Sequence, residues 1–289
     1  MRMAKRTVVA ITVGLLFVSL SFGDAIVAGF NSTSDGRNDD GTYTTGGCNN
    51  PADGGTCAGS LVPIGFSGNF FGTTFDSLYI NTNGNVTLDS PLSAPNPFPL
   101  VDGFNQIIAP FFADVDTRNP ASGVVSFGAG SFDGFTAFGV NWPNVGYFNQ
   151  EASPLDTFQL LLVSRPDQGP GAFEIVFNYG SIGWESGDSD FGTGGLGGNS
   201  ARVGFSDGTG NPDNSFELPG SGVPGSLIDG GPQALISHSL NSDVSGRYIF
   251  DFQNGVPVTV PEPGSFGLLL SALLLLVCRA FRVQAWFRR

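Results

Sequence analysis

The stretch LYINTNGNVTLD, residues 78–89, decides the fold class of this chain. Apolar and polar residues alternate on both sides of Asn83-Gly84. Alternation with a period of two is typical of a strand with one buried face, and Asn-Gly accommodates the positive φ angles of a tight turn between two strands. The stretch therefore predicts a β-hairpin.

Strand patterns recur through the middle of the chain. In AFEIVFNYG (172–180) the odd-numbered positions are all apolar or aromatic, and Glu174 and Asn178 fall on the opposite face. QIIAPFFADVD (106–116) and DTFQLLLVS (156–164) are nearly continuous apolar runs, typical of central strands covered on both faces, although periodicity alone also allows buried helix. The other strand candidates are FTAFGVNW (135–142), ARVGFS (201–206) and GRYIFDF (246–252).

These short strands, separated by turns rich in glycine, asparagine, aspartate and proline, predict an all-β fold, an antiparallel β-sandwich-like domain. The chain contains 27 phenylalanines, several at strand spacing, and they supply its core. At most one short helix is expected, in GPQALISHSLN (231–241), where Pro232 suits the first turn and Asn241 the end.

The N-terminal residues 1–25 have the pattern of a cleaved secretory signal peptide. Three basic residues precede an apolar run from Thr7 to Phe22, and Gly23-Asp24-Ala25 follows as a cleavage site. The run is short for a membrane-spanning helix, which favours a signal over an anchor.

Charge excludes one class of partner. Residues 25–260 contain five basic and 23 acidic side chains, a net charge of −18, and no lysine. Such a surface repels phosphate backbones, so we expect no nucleic-acid binding. It would attract divalent cations, although solubility alone also explains it.

A disulfide is expected between Cys48 and Cys57, which flank the polar loop NNPADGGT. Export to an oxidising compartment favours this bridge, and no nearby histidine or second cysteine pair completes a zinc site. The bridge would pin the polar segment GFNSTSDGRNDDG (29–41) ahead of it, which is otherwise expected to be poorly held.

Sequence patterns typical of catalytic sites are weak in this chain, and we expect that it is not an enzyme. The glycine motif from Gly192 to Gly197 lacks the preceding strand and following helix that a dinucleotide site needs. His238 is the only histidine, and no nucleophile-elbow pattern accompanies it. Glu174 and Glu185 are the nearest approach to a glycosidase carboxylate pair, but one lies within a strand and the other opens a glycine loop.

The segment FFADVDTR contains a weak candidate for a metal site. In a strand, Asp114 and Asp116 fall on the same face, and two close carboxylates repel unless positive charge lies between them. Arg118 on that face is one source of this charge. Ca²⁺ is the alternative, because hard oxygen ligands and an extracellular setting suit it, with further oxygens from Asp39-Asp40.

The C-terminal tail, residues 256–289, has three parts in order: Pro261-Glu262-Pro263, an apolar run over 264–281, and terminal arginines. As a transmembrane helix the run would span about 27 Å, just enough for the hydrocarbon core of a bilayer. The arginines would stay cytoplasmic, and the prolines would hold the motif extended at the outer boundary.

This order of parts resembles a PEP-CTERM sorting signal. The resemblance implies that an exosortase recognises Pro261, Glu262 and Pro263 while the helix is transiently inserted in the inner membrane. It further implies removal of the helix and release to the cell surface or extracellular matrix of a Gram-negative bacterium, where such proteins are associated with polysaccharide and biofilm. A plain membrane anchor is the alternative.

The middle of the chain resembles the nidogen-like (NIDO) extracellular domain. The stretches that carry this resemblance are PIGFSGNFFGTTFDSLYINTNGNVTLDSP (63–91), IIAPFFADVDTR (107–118), FGVNWPNVGYF (138–148) and DTFQLLLV through FEIVFNYGSIGWE (156–185). We place the domain at 26–255, with the strongest resemblance over 61–185 and a glycine-rich extension at 186–245.

The resemblance implies a structural or adhesive extracellular role and supplies no catalytic residues. Its partners would be extracellular polysaccharide or other matrix proteins. One alternative is a carbohydrate-binding module that holds matrix polysaccharide, which an exposed row of aromatic side chains would favour. A glycosidase is the less favoured alternative.

Overall fold

A computed structural model describes residues 25–45 and 59–258 and shows an all-β protein. The strands are β1 (Thr33–Ser34), β2 (Val62–Phe70), β3 (Thr73–Asn81), β4 (Asn85–Thr87), β5 (Ile107–Phe112), β6 (Val115–Asp116), β7 (Ser126–Phe132), β8 (Phe135–Tyr147), β9 (Glu151–Ser164), β10 (Phe173–Ser181), β11 (Arg202–Ser206), β12 (Ser215–Glu217), β13 (Arg247–Gln253) and β14 (Val256–Pro257). Three short 3-10 helices complete the elements: Leu100–Asp102, Asp188–Asp190 and Pro212–Asn214. The predicted fold class is confirmed.

The strands form two antiparallel sheets. One sheet has the order β1-β7-β8-β9-β10-β13-β14, with β6 added to β8, and the other has the order β12-β11-β5-β4-β3-β2. The predicted hairpin joins β3 to β4, with Asn81 opposite Asn85. Gly84 has a φ angle of 69°, and a Cβ there would lie 1.7 Å from the carbonyl oxygen of Phe111, so only glycine fits.

Phenylalanine rings fill the space between the sheets. The ring of Phe205 on β11 lies 5.3 Å, centroid to centroid, from both Phe250 and Phe252 on β13 of the other sheet. Phe111 on β5 lies at the same distance from Phe158 on β9. These edge-to-face and tilted contacts confirm that the strand-spaced phenylalanines form the core.

The outer face of the larger sheet is also covered. Phe30, from the N-terminal segment 25–32, is buried in a second cluster with Leu161 of β9 and Val176 of β10. Gln159 fixes this segment, because its side chain accepts from the Val27 amide at 3.1 Å and donates to the Val27 carbonyl at 2.7 Å. The continuous apolar run of β9 is therefore explained by burial on both faces.

The helix predicted at 231–241 is wrong, since this segment forms turns. Its internal backbone hydrogen bonds form separate turns, from the Ala234 amide to the Gly231 carbonyl and from the Ser237 amide to the Ala234 carbonyl, and its other backbone bonds join neighbouring segments. The Leu235 amide donates to the Leu227 carbonyl at 3.1 Å, and the Leu240 amide donates to the Arg247 carbonyl at 3.1 Å. These tertiary hydrogen bonds override a short local helix pattern.

Three predictions fall on residues outside the described ranges: the signal peptide up to residue 24, the Cys48–Cys57 bridge, and the C-terminal tail after residue 258. Between residues 25 and 258, the described part includes no helix with the length and apolar character needed to cross a bilayer.

Candidate cation site

Four aspartates from three separate segments meet near the ends of β5 and β6, and we call them the aspartate cluster: Asp39, Asp40, Asp114 and Asp190. Asp39 and Asp40 follow β1, Asp114 lies between β5 and β6, and Asp190 ends a 3-10 helix in the glycine-rich loop. One carboxylate oxygen each from Asp39, Asp40 and Asp114 lies within 4.8 Å of the other two. Asp114 and Asp190 are fully buried.

The polar segment that carries Asp39 and Asp40 is firmly held, contrary to the expectation from its composition. The guanidinium of Arg37 donates to the carbonyls of Thr117, Asn119 and Ser122 at 2.6 to 2.9 Å. Asn38 and Thr117 exchange hydrogen bonds of 2.9 Å through the Asn38 backbone. The segment is thereby fastened to the chain that follows β6.

Asn83, at the tip of the hairpin between β3 and β4, is hydrogen-bonded to the aspartate cluster, a role that was not predicted from the sequence. Its amide nitrogen donates to Asp40 Oδ1 at 2.9 Å, and its amide oxygen accepts from the Val115 backbone at 2.9 Å. Both partners lie more than 30 residues away along the chain, so the sequence carried no local signal for this role. Asn83 is both a turn residue and a buried link to the aspartate cluster.

Asp114 and Asp116 have different partners. Asp116 accepts hydrogen bonds from the guanidinium of Arg118 at 2.9 and 2.5 Å and from the backbone amide of Gln150 at 2.8 Å. Asp114 accepts a hydrogen bond from the hydroxyl of Ser189, next to Asp190 in the chain. Arg118 therefore neutralises the charge of Asp116, whereas the carboxylate of Asp114 lies close to those of Asp39 and Asp40.

Burial raises the pKa of all four members of the cluster, including that of Asp40. Desolvation, together with the charges of Asp116 and Asp40, raises the pKa of Asp39 to about 7, although Arg118 opposes the shift. Desolvation also raises the pKa of Asp114 to about 8, and the neighbouring carboxylates add to this effect. The pKa of Asp190 rises to about 7, chiefly through desolvation. Three ionised carboxylates are therefore costly here unless a positive charge joins them.

The candidate catalytic side chains are scattered and engaged elsewhere. Glu174, the second residue of β10, forms an ion pair with Arg165. Glu185 is buried and accepts from the backbone amides of Gly197 at 3.1 Å and Gly225 at 2.7 Å. His238 is exposed, with Nδ1 lying 3.0 Å from the carbonyl oxygen of residue 234.

Several known proteins are similar in sequence to this chain. The family model described as "Nidogen-like domain" matches residues 76–136 and 126–254. Alpha-tectorin from Mus musculus and from Homo sapiens is 33% identical to the chain over 205 residues, which cover 63% of this chain and 9% of each relative. Nidogen from Drosophila melanogaster is 29% identical over 244 residues, which cover 74% of this chain and 17% of the relative. No solved structure matches the chain significantly.

The chain thus spans less than a fifth of the length of these relatives. The family match runs from β3 through β13 and so includes most of both sheets. It also includes Asn83, Asp114 and Asp190, whereas Asp39 and Asp40 precede it. With well over half of its residues matched by the family model, the chain belongs to the nidogen-like domain family.

Proposed function

We propose that this chain is a structural or adhesive protein of the cell surface or extracellular matrix of a Gram-negative bacterium and that it has no enzymatic activity. Membership of the nidogen-like family is the observation that carries the proposal. The shared region is a small part of alpha-tectorin and nidogen, so their own partners are not transferred to this chain.

The arrangement of carboxylates supports a non-catalytic role. Glu185 is occupied by backbone amides, and Glu174 by an arginine. A glycosidase needs one carboxyl group to protonate the leaving group and a second to act as base or nucleophile. Neither glutamate is free for such a role.

A carbohydrate-binding module that holds polysaccharide is the alternative, and it predicts a row of exposed aromatic side chains. Among the described aromatic residues, Phe104 and Phe191 are the exposed ones, with 91% and 83% of their surfaces accessible. They belong to loops in different parts of the chain, before β5 and after the 3-10 helix at Asp188–Asp190. A structural or adhesive role fits this surface better than a stacking platform for sugars.

We further propose that an exosortase sorts the protein through its C-terminal tail. The order of parts in the tail supports this step: Pro261-Glu262-Pro263, then the apolar run, then arginines. The mature protein would end close to Pro263 and leave the inner membrane.

Mass spectrometry of the mature C-terminus from cells and medium tests the sorting step. Replacement of Pro261, Glu262 and Pro263 by alanine should leave full-length protein in the membrane, whereas a Pro257→Ala control should be processed normally. Normal processing of the triple variant would refute exosortase sorting.

Localisation and ligand binding test the structural role. The mature protein should fractionate with the matrix, and deletion of its gene should weaken cohesion between cells. Strong and selective binding of the purified protein to one class of glycan on an array would favour the carbohydrate-binding module instead.

A further inference from the structure

The aspartate cluster carries more negative charge than its described neighbours offset. Arg118 is shared between Asp116, at 2.5 Å, and Asp39, at 2.8 Å. Within residues 25–45 and 59–258, no ion pair joins Asp40, Asp114 or Asp190 to a basic side chain. The pairing with Arg118 therefore accounts for Asp116 and one oxygen of Asp39, and one guanidinium does not balance the charge of the other carboxylates in the cluster.

Several oxygens of the cluster also lack hydrogen-bond donors. In the described part of the chain, Oδ1 of Asp39, Oδ1 of Asp114 and both carboxylate oxygens of Asp190 are buried without a partner. A buried acceptor without a donor destabilises the folded state, and the cost is larger when the acceptor is charged. Four such atoms in one place need a common explanation, and a cation supplies one.

The spacing of the oxygens suits a single ion. Calcium lies about 2.3–2.6 Å from its oxygen ligands, so two ligands of one ion are at most about 5 Å apart. The oxygens of Asp39, Asp40 and Asp114 lie within 4.8 Å of one another and meet this limit.

The chemistry of the donors selects the kind of ion. Every candidate ligand is a carboxylate oxygen, which favours hard divalent cations over zinc or copper. The ligands come from loops and strand ends, and such irregular surroundings suit the flexible coordination of calcium better than the strict octahedron of magnesium.

We propose that Asp39, Asp40 and Asp114 bind one calcium ion and that the buried carboxylate of Asp190 lies beside this site and adds negative charge to it. Asp116 is not a ligand, because Arg118 and the Gln150 amide occupy its oxygens. This inference concerns the folded domain alone and does not depend on the sorting of its tail.

The bound ion would connect the segment after β1 to the residues just before β6, which are distant in sequence. The glycine-rich loop reaches the same place through Ser189, whose hydroxyl donates to Asp114. Gly187 allows this loop to approach, since a Cβ at that position would overlap the Asp114 carboxylate. Calcium would therefore stabilise the packing of the N-terminal segment and the loop against the residues between β5 and β6.

Calorimetric titration of the purified full-length protein with CaCl₂ tests the proposal directly. We expect one ion per chain, with a Kd of about 10⁻⁴ to 10⁻³ M, as in extracellular calcium modules. At about 2 mM CaCl₂ the melting temperature should exceed that in EDTA by about 1–7 °C across this range of Kd, because the ion binds only the folded state. NaCl at equal ionic strength serves as the control for screening.

Two variants probe the ligands, and one variant serves as a control. Asp114→Asn should weaken calcium binding at least tenfold, and the half-buried Asp40→Asn provides a second test if Asp114→Asn fails to fold. Asp76→Asn, an exposed aspartate on β3, should bind calcium like the wild type.

Three results would overturn the proposal. One is a wild-type protein that shows no calorimetric binding or the same melting temperature in calcium and in NaCl. Another is undiminished binding by folded Asp114→Asn and Asp40→Asn proteins. The third, an equal affinity for magnesium, would refute the assignment to calcium.

Discussion

The buried carboxyl group of Asp156 on β9 forms hydrogen bonds with the residues that follow β10. Its Oδ1 accepts from the backbone amides of Gly183 at 2.7 Å and Trp184 at 3.1 Å. Burial raises the pKa of Asp156 well above its usual value of 3.8, and the charges of Asp229 and Glu185 act in the same direction. The group is therefore a source of pH-dependent stability.

The sign of that dependence follows from proton linkage. Above about pH 4 the unfolded chain loses the Asp156 proton while the folded chain keeps it, so this group's contribution to stability falls as pH rises towards the folded pKa. Asp156→Asn is neutral at every pH and keeps the oxygen acceptor. We expect the variant to melt above the wild type at pH 8, with the two converging near pH 4.

Thermal unfolding in EDTA between pH 4 and pH 8 measures this difference. The exposed Asp102→Asn variant is the matched control and should follow the wild type throughout. A constant offset between the Asp156→Asn protein and the wild type across the pH range would contradict the prediction.

The N-terminal segment covers the outer face of the larger sheet. Phe30 lies over Gly130 of β7, where a Cβ would come within 2.7 Å of the Phe30 ring. Phe30→Ala should lower the free energy of unfolding by about 3–5 kcal/mol, the usual cost of removing a buried phenylalanine. Gly130→Ala should also destabilise the protein, by displacing the ring.

The two substitutions should be strongly non-additive, because the methyl group added at 130 occupies space that the ring vacates in Phe30→Ala. Urea unfolding of both single variants and the double variant measures the coupling. Simple addition of the two effects would mean that the ring and the glycine do not share this contact.

The Cys48–Cys57 bridge belongs to the connection between the segment after β1 and β2. The described residues on either side of it are close together, since the Ser60 amide donates to the Tyr43 carbonyl at 2.7 Å. We expect both thiols to resist alkylation before reduction in exported protein. Reduction should cost about 2–3 kcal/mol of stability, as loop entropy predicts for a short loop. Free thiols at both positions would rule out the bridge.

Most strands were predictable because their signals are local. The alternation around Asn83-Gly84 and the apolar runs of β5 and β9 depend only on neighbouring residues. The failed helix at 231–241 shows the limit of this reasoning, because several of its hydrogen-bond partners lie in other segments. The cover over β9 was predicted, but its source was not, since nothing near Phe30 in sequence indicates where its ring packs.

The aspartate cluster also could not be predicted from local sequence signals, because its members come from segments far apart in the chain. Sequence spacing drew attention to Asp114 and Asp116, which are two residues apart. The structure places Asp114 beside Asp39, Asp40 and Asp190, which are about 75 residues away on either side. Only the folding of two sheets onto each other brings these segments together, so a pattern within one strand could not identify the set.

Net charge is the remaining property that belongs to the whole molecule. Residues 25–260 carry a net charge of −18, and such an excess of one sign destabilises a compact state through self-repulsion. Added salt shortens the Debye length from about 30 Å at 0.01 M to about 8 Å at 0.15 M. In EDTA, the melting temperature should therefore rise with NaCl over this range.

A variant with less charge separates this effect from ion binding at the aspartate cluster. Asp76, Asp102 and Asp213 are exposed and lie outside the cluster, so their joint replacement by asparagine removes three charges and leaves the cluster intact. This triple variant should melt above the wild type at low salt and show a shallower rise with NaCl, because less repulsion remains to be screened. If its melting temperature rises with salt as steeply as that of the wild type, general self-repulsion is not the cause, and the salt effect must arise at a local site such as the aspartate cluster.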